Sequence, residues 1–193
     1  VEIDNDRIVI NGGLKLPEQP LNCGESGLGI RMFSSVASTL SGEVVLTGEG
    51  SLKKRPMQMI ADALTQAGVE CSTANGYLPI RVKGPMKGGV ISIDGSLSSQ
   101  VLTGLLMASP MAHSDVTIQV SNLKSTPYVQ LTIDMMRSFG VEVENIDNTQ
   151  FRVKAPGQYI PCQYSVEGDW SGTAFLLVAG AIAGEVEVTN LYP

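Results

Sequence analysis

The sequence predicts an α/β (α+β) fold in which helices and strands recur as one repeated unit. Three observations favour this class: an internal repeat, apolar segments with helical and strand spacing, and glycines at the segment ends. Hydrophobic residues make up 43% of the 193 residues, charged residues 17%, and glycine occurs 21 times. This composition can bury a core in one large domain or two small ones.

The internal repeat has an offset of 72 residues, which separates Val44 from Val116 and Gly68 from Gly140. Each copy begins with a Gly/Ser-rich turn, an apolar helix and a strand, and a third copy starts near Gly168. In copy order, the predicted turns are 24–27, 95–99 and 168–172, the helices 30–40, 100–108 and 173–183, and the strands 43–46, 115–120 and 185–188.

The second half of each copy is predicted as an amphipathic helix followed by two strands. The helices are indicated by apolar residues at helical spacing: Met57, Ile60, Ala61 and Leu64, then Val129, Ile133, Met136 and Phe139. Pro56 and Pro127 are expected at the first helical positions, and Gly68 and Gly140 just after the helix ends. The predicted strands are 69–73, 78–83, 141–145 and 150–154, and the segment 156–158 marks a domain boundary.

Composition excludes several classes of function. The net charge is −6 and no long basic run occurs, which argues against nucleic-acid binding. The longest apolar stretch, 173–184, is too short to span a membrane. Three distant cysteines, Cys23, Cys71 and Cys162, suggest neither a disulfide framework nor a zinc site, and a reducing cytoplasm fits them best.

The repeated helix starts are candidate anion sites. A helix N-terminus offers unpaired backbone N–H groups and a partial positive charge, and Ser98 and Ser99 add hydroxyls at one such start. Helix capping alone also explains serines at this place. Arg55 ends a basic loop and could bind a carboxylate or phosphate, or could simply be solvated. Asp169 could cap a helix or act as a general base.

Other catalytic patterns are not matched. The glycines at 24, 27 and 29 lack the spacing of the dinucleotide-binding fingerprint, and segment 48–54 lacks the ending of a phosphate-binding P-loop. His113 is the single histidine and is expected in a surface turn before a strand. No motif supports its use in a Ser–His–Asp triad.

Five segments together match one family, in that family's order. They are 24–31 (Gly-Glu-Ser-Gly-Leu-Gly-Ile-Arg), 54–56 (Lys-Arg-Pro), 95–100 (Gly-Ser-Leu-Ser-Ser-Gln), 125–128 (Ser-Thr-Pro-Tyr) and 166–171 (Val-Glu-Gly-Asp-Trp-Ser). They resemble the glycine-rich turn, the Arg-Pro loop, the Ser-Ser-Gln helix start, the Ser-Lys-Pro-Tyr segment and the Val-Glu-Gly-Asp segment of the 5-enolpyruvylshikimate-3-phosphate synthases (3-phosphoshikimate 1-carboxyvinyltransferases).

The resemblance implies two similar domains, each an inside-out α/β barrel of βαβαββ units. Residues 1–155 would form most of the shikimate-phosphate-binding domain, and residues 156–193 would begin the second domain. The implied enzyme is a cytoplasmic monomer of the shikimate pathway, which leads to the aromatic amino acids. It transfers the enolpyruvyl group of phosphoenolpyruvate to the 5-hydroxyl of shikimate 3-phosphate and releases phosphate, without a metal or organic cofactor.

The resemblance also implies roles for individual residues. Those matching binders of shikimate 3-phosphate are Ser98, Ser99, Gln100, Ser125 and Asp169. Those matching binders of phosphoenolpyruvate are Gly27, Arg55 and Gln100, with Gly27 leaving room for the ligand. Asp169 matches the residue assigned as proton acceptor from the reacting hydroxyl.

Some family features differ or fall outside the chain. Leu28 stands where the family has Thr or Ser, Thr126 replaces a Lys, and Gly172 replaces a Ser. The family's Lys-Ser…Arg segment, its Glu proton donor and its later Arg and Lys residues would lie before Val1 and after Pro193. The chain is therefore expected to carry half of a cleft and to show little turnover alone.

Two other functions remain open. The UDP-N-acetylglucosamine enolpyruvyl transferases share the fold and the type of chemistry, but many use a cysteine in the loop before the Arg-Pro, and 48–54 contains none. Cys23 precedes a different helix and is expected to be a buried small apolar residue. The other alternative is a non-catalytic anion-binding module.

Overall fold

The sequence repeat is built as two four-stranded sheets with equivalent strand orders. The computed structural model describes residues 2–4, 7–9, 12–96 and 99–191, which divide into two compact units, 1–160 and 161–193. A short hairpin, β1 (Glu2–Asp4) and β2 (Arg7–Val9), precedes the sheets and was not predicted.

The first repeat consists of β3 (Leu21–Asn22), α1 (Gly27–Ala37), β4 (Glu43–Thr47), α2 (Gln58–Gln66), β5 (Glu70–Ala74) and β6 (Tyr77–Lys83). The second consists of β7 (Gly89–Asp94), α3 (Ser99–Ala108), β8 (Val116–Ser121), α4 (Thr126–Ser138), β9 (Val143–Ile146) and β10 (Gln150–Val153). Both follow the order βαβαββ, which confirms the predicted unit. Short 3₁₀ helices at Gly50–Lys54 and Ser109–Met111 add to these elements.

Each sheet joins a parallel pair to an antiparallel pair. The strand orders are β3-β4-β6-β5 and β7-β8-β10-β9, and the first two strands of each sheet are parallel because a helix connects them. The described strands of residues 2–160 form these separate sheets and the hairpin, without closing a barrel.

The core lies between the sheets and the helices, and the predicted stripes are buried. Alternate residues of the central strands face inward, and Met57, Ile60, Ala61 and Leu64 are at most 3% exposed. Val129, Ile133 and Met136 of α4 are also buried, and Phe139 is half-buried. Each fully buried aliphatic side chain contributes about 1.5–3 kcal/mol, so these stripes account for the helix positions.

The helix ends agree with the predicted glycines, whereas the starts differ. Gly68 and Gly140 follow α2 and α4 in the left-handed region, at φ +75° and +81°. The expectation that Pro56 and Pro127 occupy first helical positions is wrong. Pro127 is the second residue of α4, and α2 begins only at Gln58, because the Met57 N–H donates to the Gly76 carbonyl instead.

Helix α1 begins three residues earlier than predicted. Ser26 caps it by accepting a hydrogen bond from the Gly29 N–H at 2.9 Å, so that Gly27 becomes the first helical residue. Glycine has no side chain that could contribute to the apolar periodicity from which the helix was predicted, and the prediction therefore missed this first turn. Helix α1 packs closely on α3, since a Cβ on Gly104 would lie only 2.8 Å from the Cα of Met32.

The first unit extends through the predicted boundary segment 156–158. Backbone hydrogen bonds from Gly157 to Pro110 and from Ile160 to Phe139 hold this stretch against the first unit. The Tyr159 hydroxyl also donates to the Met107 carbonyl at 2.9 Å, and burial raises the pKa of this phenol to about 12. The division between units thus follows Ile160.

The second unit contains α5 (Trp170–Ala183). The strand predicted at 185–188 is wrong: these residues have irregular backbone structure, and the described part of this unit holds no strand to pair with. A strand needs a hydrogen-bonded neighbour, so its sequence pattern alone cannot form one. No helix in the described ranges is long and apolar enough to cross a membrane.

Candidate anion-binding site

Two arginine side chains converge on the first residue of α1. A Cβ placed on Gly27 would lie 2.6 Å from Nη1 of Arg55 and 3.7 Å from Nη1 of Arg31. Gly27 is buried, and the turn it begins exposes N–H groups that have no partner within the helix. Two guanidinium groups and a helix N-terminus in one place form a site suited to an anion.

The loop that carries Arg55 is tied to the turn before α1. The Glu25 carboxylate accepts a hydrogen bond from the Ser51 N–H at 2.9 Å, and this bond is the main cause of the lowered pKa of Glu25. Gly50 has φ +50°, and a Cβ there would collide with the same carboxylate. The Glu49 N–H also donates to the Gly24 carbonyl at 2.7 Å. These contacts fix the approach of Arg55 to Gly27.

Gln100 joins the cluster through Arg31. Nη1 of Arg31 donates to Oε1 of Gln100 at 3.0 Å, which links the N-terminal parts of α1 and α3. Burial, and to a lesser extent the charge of Arg55, lower the pKa of Arg31. Its buried Nε has no hydrogen-bond partner among the described residues. The structure thus brings together Gly27, Arg55 and Gln100, three of the predicted site residues.

The predicted serines lie at other helix starts. Ser98 is outside the described residues, and Ser99 is the first residue of α3, directly before Gln100. Ser125 precedes α4 in the left-handed conformation at φ +60°, and its hydroxyl makes no capping hydrogen bond. A non-glycine residue in this conformation is strained, and such strain is commonest at functional sites.

Asp169 belongs to the second unit and caps α5. Its two carboxylate oxygens accept hydrogen bonds from the N–H groups of Ser171 at 2.9 Å and Gly172 at 3.0 Å. The capping role inferred from the sequence is therefore confirmed. A carboxylate can accept about four hydrogen bonds. Capping therefore leaves acceptor capacity for a substrate hydroxyl.

Sequence reasoning assigned no role to Arg31 or Glu25. Arg31 is four residues after Gly27, a spacing that places both on one helix face, and this signal could have identified it. Glu25 acts through contacts with residues 50 and 51, which no local pattern reveals. His113 lies exposed in the bend before β8, as predicted, whereas Cys23 is only half-buried and not fully buried as expected.

The site around Gly27 provides hydrogen-bond donors, two of them positively charged. Within the described ranges, no group of three or more His, Cys, Asp or Glu side chains is placed to hold a metal ion. The donors near Gly27 are guanidinium, amide and backbone N–H groups, which bind phosphate and carboxylate oxygens.

Repeated βαβαββ units, with two guanidinium groups at the start of α1, define an α/β protein with a candidate anion site. The family model of EPSP synthase (3-phosphoshikimate 1-carboxyvinyltransferase) matches residues 1–193. The chain belongs to this family.

Curated relatives that carry the name 3-phosphoshikimate 1-carboxyvinyltransferase support the same family assignment. The protein of Methanocorpusculum labreanum is 40% identical over 194 residues, covering 98% of this chain and 46% of the relative. That of Pasteurella multocida is 49% identical over 154 residues, covering 77% of this chain and 35% of the relative. The solved EPSP synthase of Acinetobacter baumannii has a TM-score of 0.76 at 30% identity, covering 88% of this chain and 38% of that structure. The chain spans about half the length of the curated relatives it matches.

Proposed function

We propose that this chain contributes half of an active site that transfers the enolpyruvyl group from phosphoenolpyruvate to the 5-hydroxyl of shikimate 3-phosphate. The approach of the Arg55 guanidinium to Gly27, beside the hydrogen-bonded pair of Arg31 and Gln100, carries the proposal. Both substrates are multiply charged anions, so fixed guanidinium groups and helix starts are the groups that stabilise them. Residues 1–155, with residues 156–160 packed against them, supply the shikimate-phosphate domain in this proposal, and the rest of the chain begins the second.

The proposed roles are those of the matching residues in the family, and the chemistry of each side chain suits its role. Arg55 binds the charged groups of phosphoenolpyruvate, Gly27 leaves space for that ligand, and Gln100 contacts both substrates. Ser98, Ser99 and Ser125 donate to the phosphate of shikimate 3-phosphate. These groups hold the two reactants in an orientation that lowers the entropic part of the barrier.

Asp169 takes the proton of the 5-hydroxyl as the hydroxyl oxygen attacks the central carbon of phosphoenolpyruvate. The methylene carbon takes up a proton, which the family's Glu proton donor supplies, and becomes the methyl group of a tetrahedral intermediate. The intermediate then releases phosphate, and the methyl group gives up a proton, which restores the double bond. No metal or organic cofactor takes part in this scheme. We also propose that the enzyme is a cytoplasmic monomer that acts on small molecules, and not on nucleic acid or membranes.

The function is tested in a protein that contains this segment and has the full length of the relatives. It is called the full-length protein below. Phosphate release is expected only when both shikimate 3-phosphate and phosphoenolpyruvate are present, and not when UDP-N-acetylglucosamine replaces the former. No release with the proposed pair would reject the function, and release with the sugar nucleotide would favour the other transferase family. The 193-residue chain alone is expected to bind shikimate 3-phosphate weakly in calorimetry and to show little turnover.

Gly27→Ala is expected to raise the KM for phosphoenolpyruvate about tenfold, equivalent to about 1.4 kcal/mol. The new Cβ would lie 2.6 Å from Nη1 of Arg55 and must displace this mobile end of the side chain. The free energy of unfolding should not fall, because alanine suits a helix better than glycine. Gly12→Ala adds a methyl group where no atom lies within 4 Å and serves as the kinetic control. An unchanged KM in Gly27→Ala would contradict the assigned role.

Replacing Ser125 by alanine or by glycine is expected to raise the KM for shikimate 3-phosphate by similar factors, about tenfold or more, because both remove a hydroxyl donor to a charged group. Chemical denaturation should separate the two variants. Glycine tolerates the φ of +60° and should be about 1 kcal/mol more stable than alanine there. Asn122→Gly, at φ +52° in the same loop, should leave the KM unchanged. If the KM for shikimate 3-phosphate were the same in both Ser125 variants as in Asn122→Gly and the unsubstituted protein, the binding role of Ser125 would be refuted.

A further inference from the structure

The hydrogen bond between Arg31 and Gln100 connects residues 69 positions apart. It is partly buried, and it joins two helices whose backbones are in close contact, since a Cβ on Gly104 would lie 3.0 Å from the Arg31 carbonyl oxygen. Side chains held between tightly packed backbones have few alternative positions. The relative placement of the two side chains is therefore well defined.

The chemistry of this bond sets the orientation of the Gln100 amide. A side-chain amide has one accepting end and one donating end, whereas a guanidinium group only donates. Arg31 therefore stabilises the orientation in which Oε1 of Gln100 faces its Nη1, at 3.0 Å. The amide nitrogen Nε2, which carries two donor hydrogens, is then turned away from Arg31. That orientation suits an anionic ligand, because an N–H group can donate to it. In the reversed orientation the amide would turn its N–H donors towards the donors of Arg31, which is unfavourable.

The surroundings of Arg31 are unfavourable for a purely structural residue. Its guanidinium is half-buried beside the like charge of Arg55, and both burial and that charge lower its pKa. No described acidic side chain forms an ion pair with it, and its buried Nε has no described partner. Buried polar groups are rarely left without partners unless they serve a function.

We infer that Arg31 is a positioning residue, which holds the Gln100 amide with its Nε2 donor directed to phosphoenolpyruvate. This inference rests on the proposed function. Arg31 acts through Gln100 and does not need to touch the ligand. Once the Gln100 amide has been removed, the further removal of Arg31 should therefore raise the KM for phosphoenolpyruvate only slightly.

A double-mutant cycle in the full-length protein tests this coupling. Arg31→Met and Gln100→Met are each expected to raise the KM for phosphoenolpyruvate about tenfold, and the double variant to differ from Gln100→Met by less than about threefold. Arg81→Met removes an arginine that pairs with Glu43 on an exposed strand surface, and its KM should be unchanged. Heat denaturation is expected at nearly the same temperature for all four variants. Arg31→Lys, which keeps the charge, provides a second variant if Arg31→Met does not fold.

Effects that multiply in the double variant would overturn the inference, because they would show that Arg31 and Gln100 act separately. A crystal structure of the Arg31 variant gives a readout independent of turnover. The Gln100 amide is expected to change its orientation or rotamer there, and an unmoved Gln100 would reject the positioning role. An unsubstituted protein without phosphate release would instead reject the proposed function, and the crystal structure would still decide the role of Arg31.

Discussion

Arg55→Ala in the full-length protein is expected to raise the KM for phosphoenolpyruvate about 100-fold, equivalent to about 3 kcal/mol. A guanidinium group forms paired, charge-assisted hydrogen bonds with a carboxylate or phosphate, and alanine removes all of them. The KM for shikimate 3-phosphate should change much less. Steady-state phosphate release, with each substrate varied in turn, measures both constants.

The structure provides matched controls for this substitution. Lys53 and Lys54 end the 3₁₀ segment directly before Arg55 and are exposed, as Arg55 is. Lys53→Ala and Lys54→Ala each remove one positive charge and should leave the KM for phosphoenolpyruvate nearly unchanged. Arg55→Lys keeps the charge but loses the forked geometry. Its KM for phosphoenolpyruvate should therefore lie between that of Arg55→Ala and that of the unsubstituted protein.

The stability of the Arg55 variants should not change, because surface substitutions of this kind alter the free energy of unfolding by about 0.5 kcal/mol or less. The turn and loop that position Arg55 are held by Glu25 and Ser51, which remain in place. An equal increase in the KM for phosphoenolpyruvate in Lys53→Ala, Lys54→Ala and Arg55→Ala would indicate a general charge effect and contradict the specific role of Arg55.

Asp169→Asn is expected to lower kcat about 1,000-fold while leaving the affinity for shikimate 3-phosphate nearly unchanged. Asparagine cannot accept the proton of the substrate hydroxyl as a carboxylate can. It caps a helix about as well as aspartate, so α5 should keep its start. Turnover is measured by phosphate release and affinity by calorimetry on the full-length protein.

Comparison of two variants separates catalysis from capping at this position. Asp169→Ala removes both the base and the hydrogen bonds to Ser171 and Gly172, and should be about 1 kcal/mol less stable than Asp169→Asn. The two variants should have similarly low kcat values. If Asp169→Asn retained full turnover and only Asp169→Ala lost it, capping would be the sole role of Asp169.

Several features of the fold could be predicted because their causes are local. The apolar stripes of α2 and α4 follow from helical spacing, and the left-handed glycines at 68 and 140 follow from how helices end. The repeat revealed that one supersecondary unit is used twice. Errors occurred where the local signal was weak, as at the glycine-rich start of α1, or where pairing was required, as at 185–188.

The candidate site was predictable only in part. Family motifs identified Gly27, Arg55 and Gln100, but each motif describes a separate stretch of chain. Their proximity depends on contacts between distant residues: Arg31 with Gln100, and the Glu25 carboxylate with Ser51. Such contacts arise from the packing of helices and loops on a shared core, which no spacing within one segment encodes.

The sequence by itself determined the repeated unit, its helix ends and the residue types available for anion binding, because caps and periodicity act over a few neighbouring residues. Only the tertiary structure decided that two guanidinium groups meet at Gly27, that one of them donates a hydrogen bond to the Gln100 amide, and that Asp169 caps its helix with both oxygens. Side chains far apart in the chain acquire defined distances only when the buried core fixes the elements that carry them.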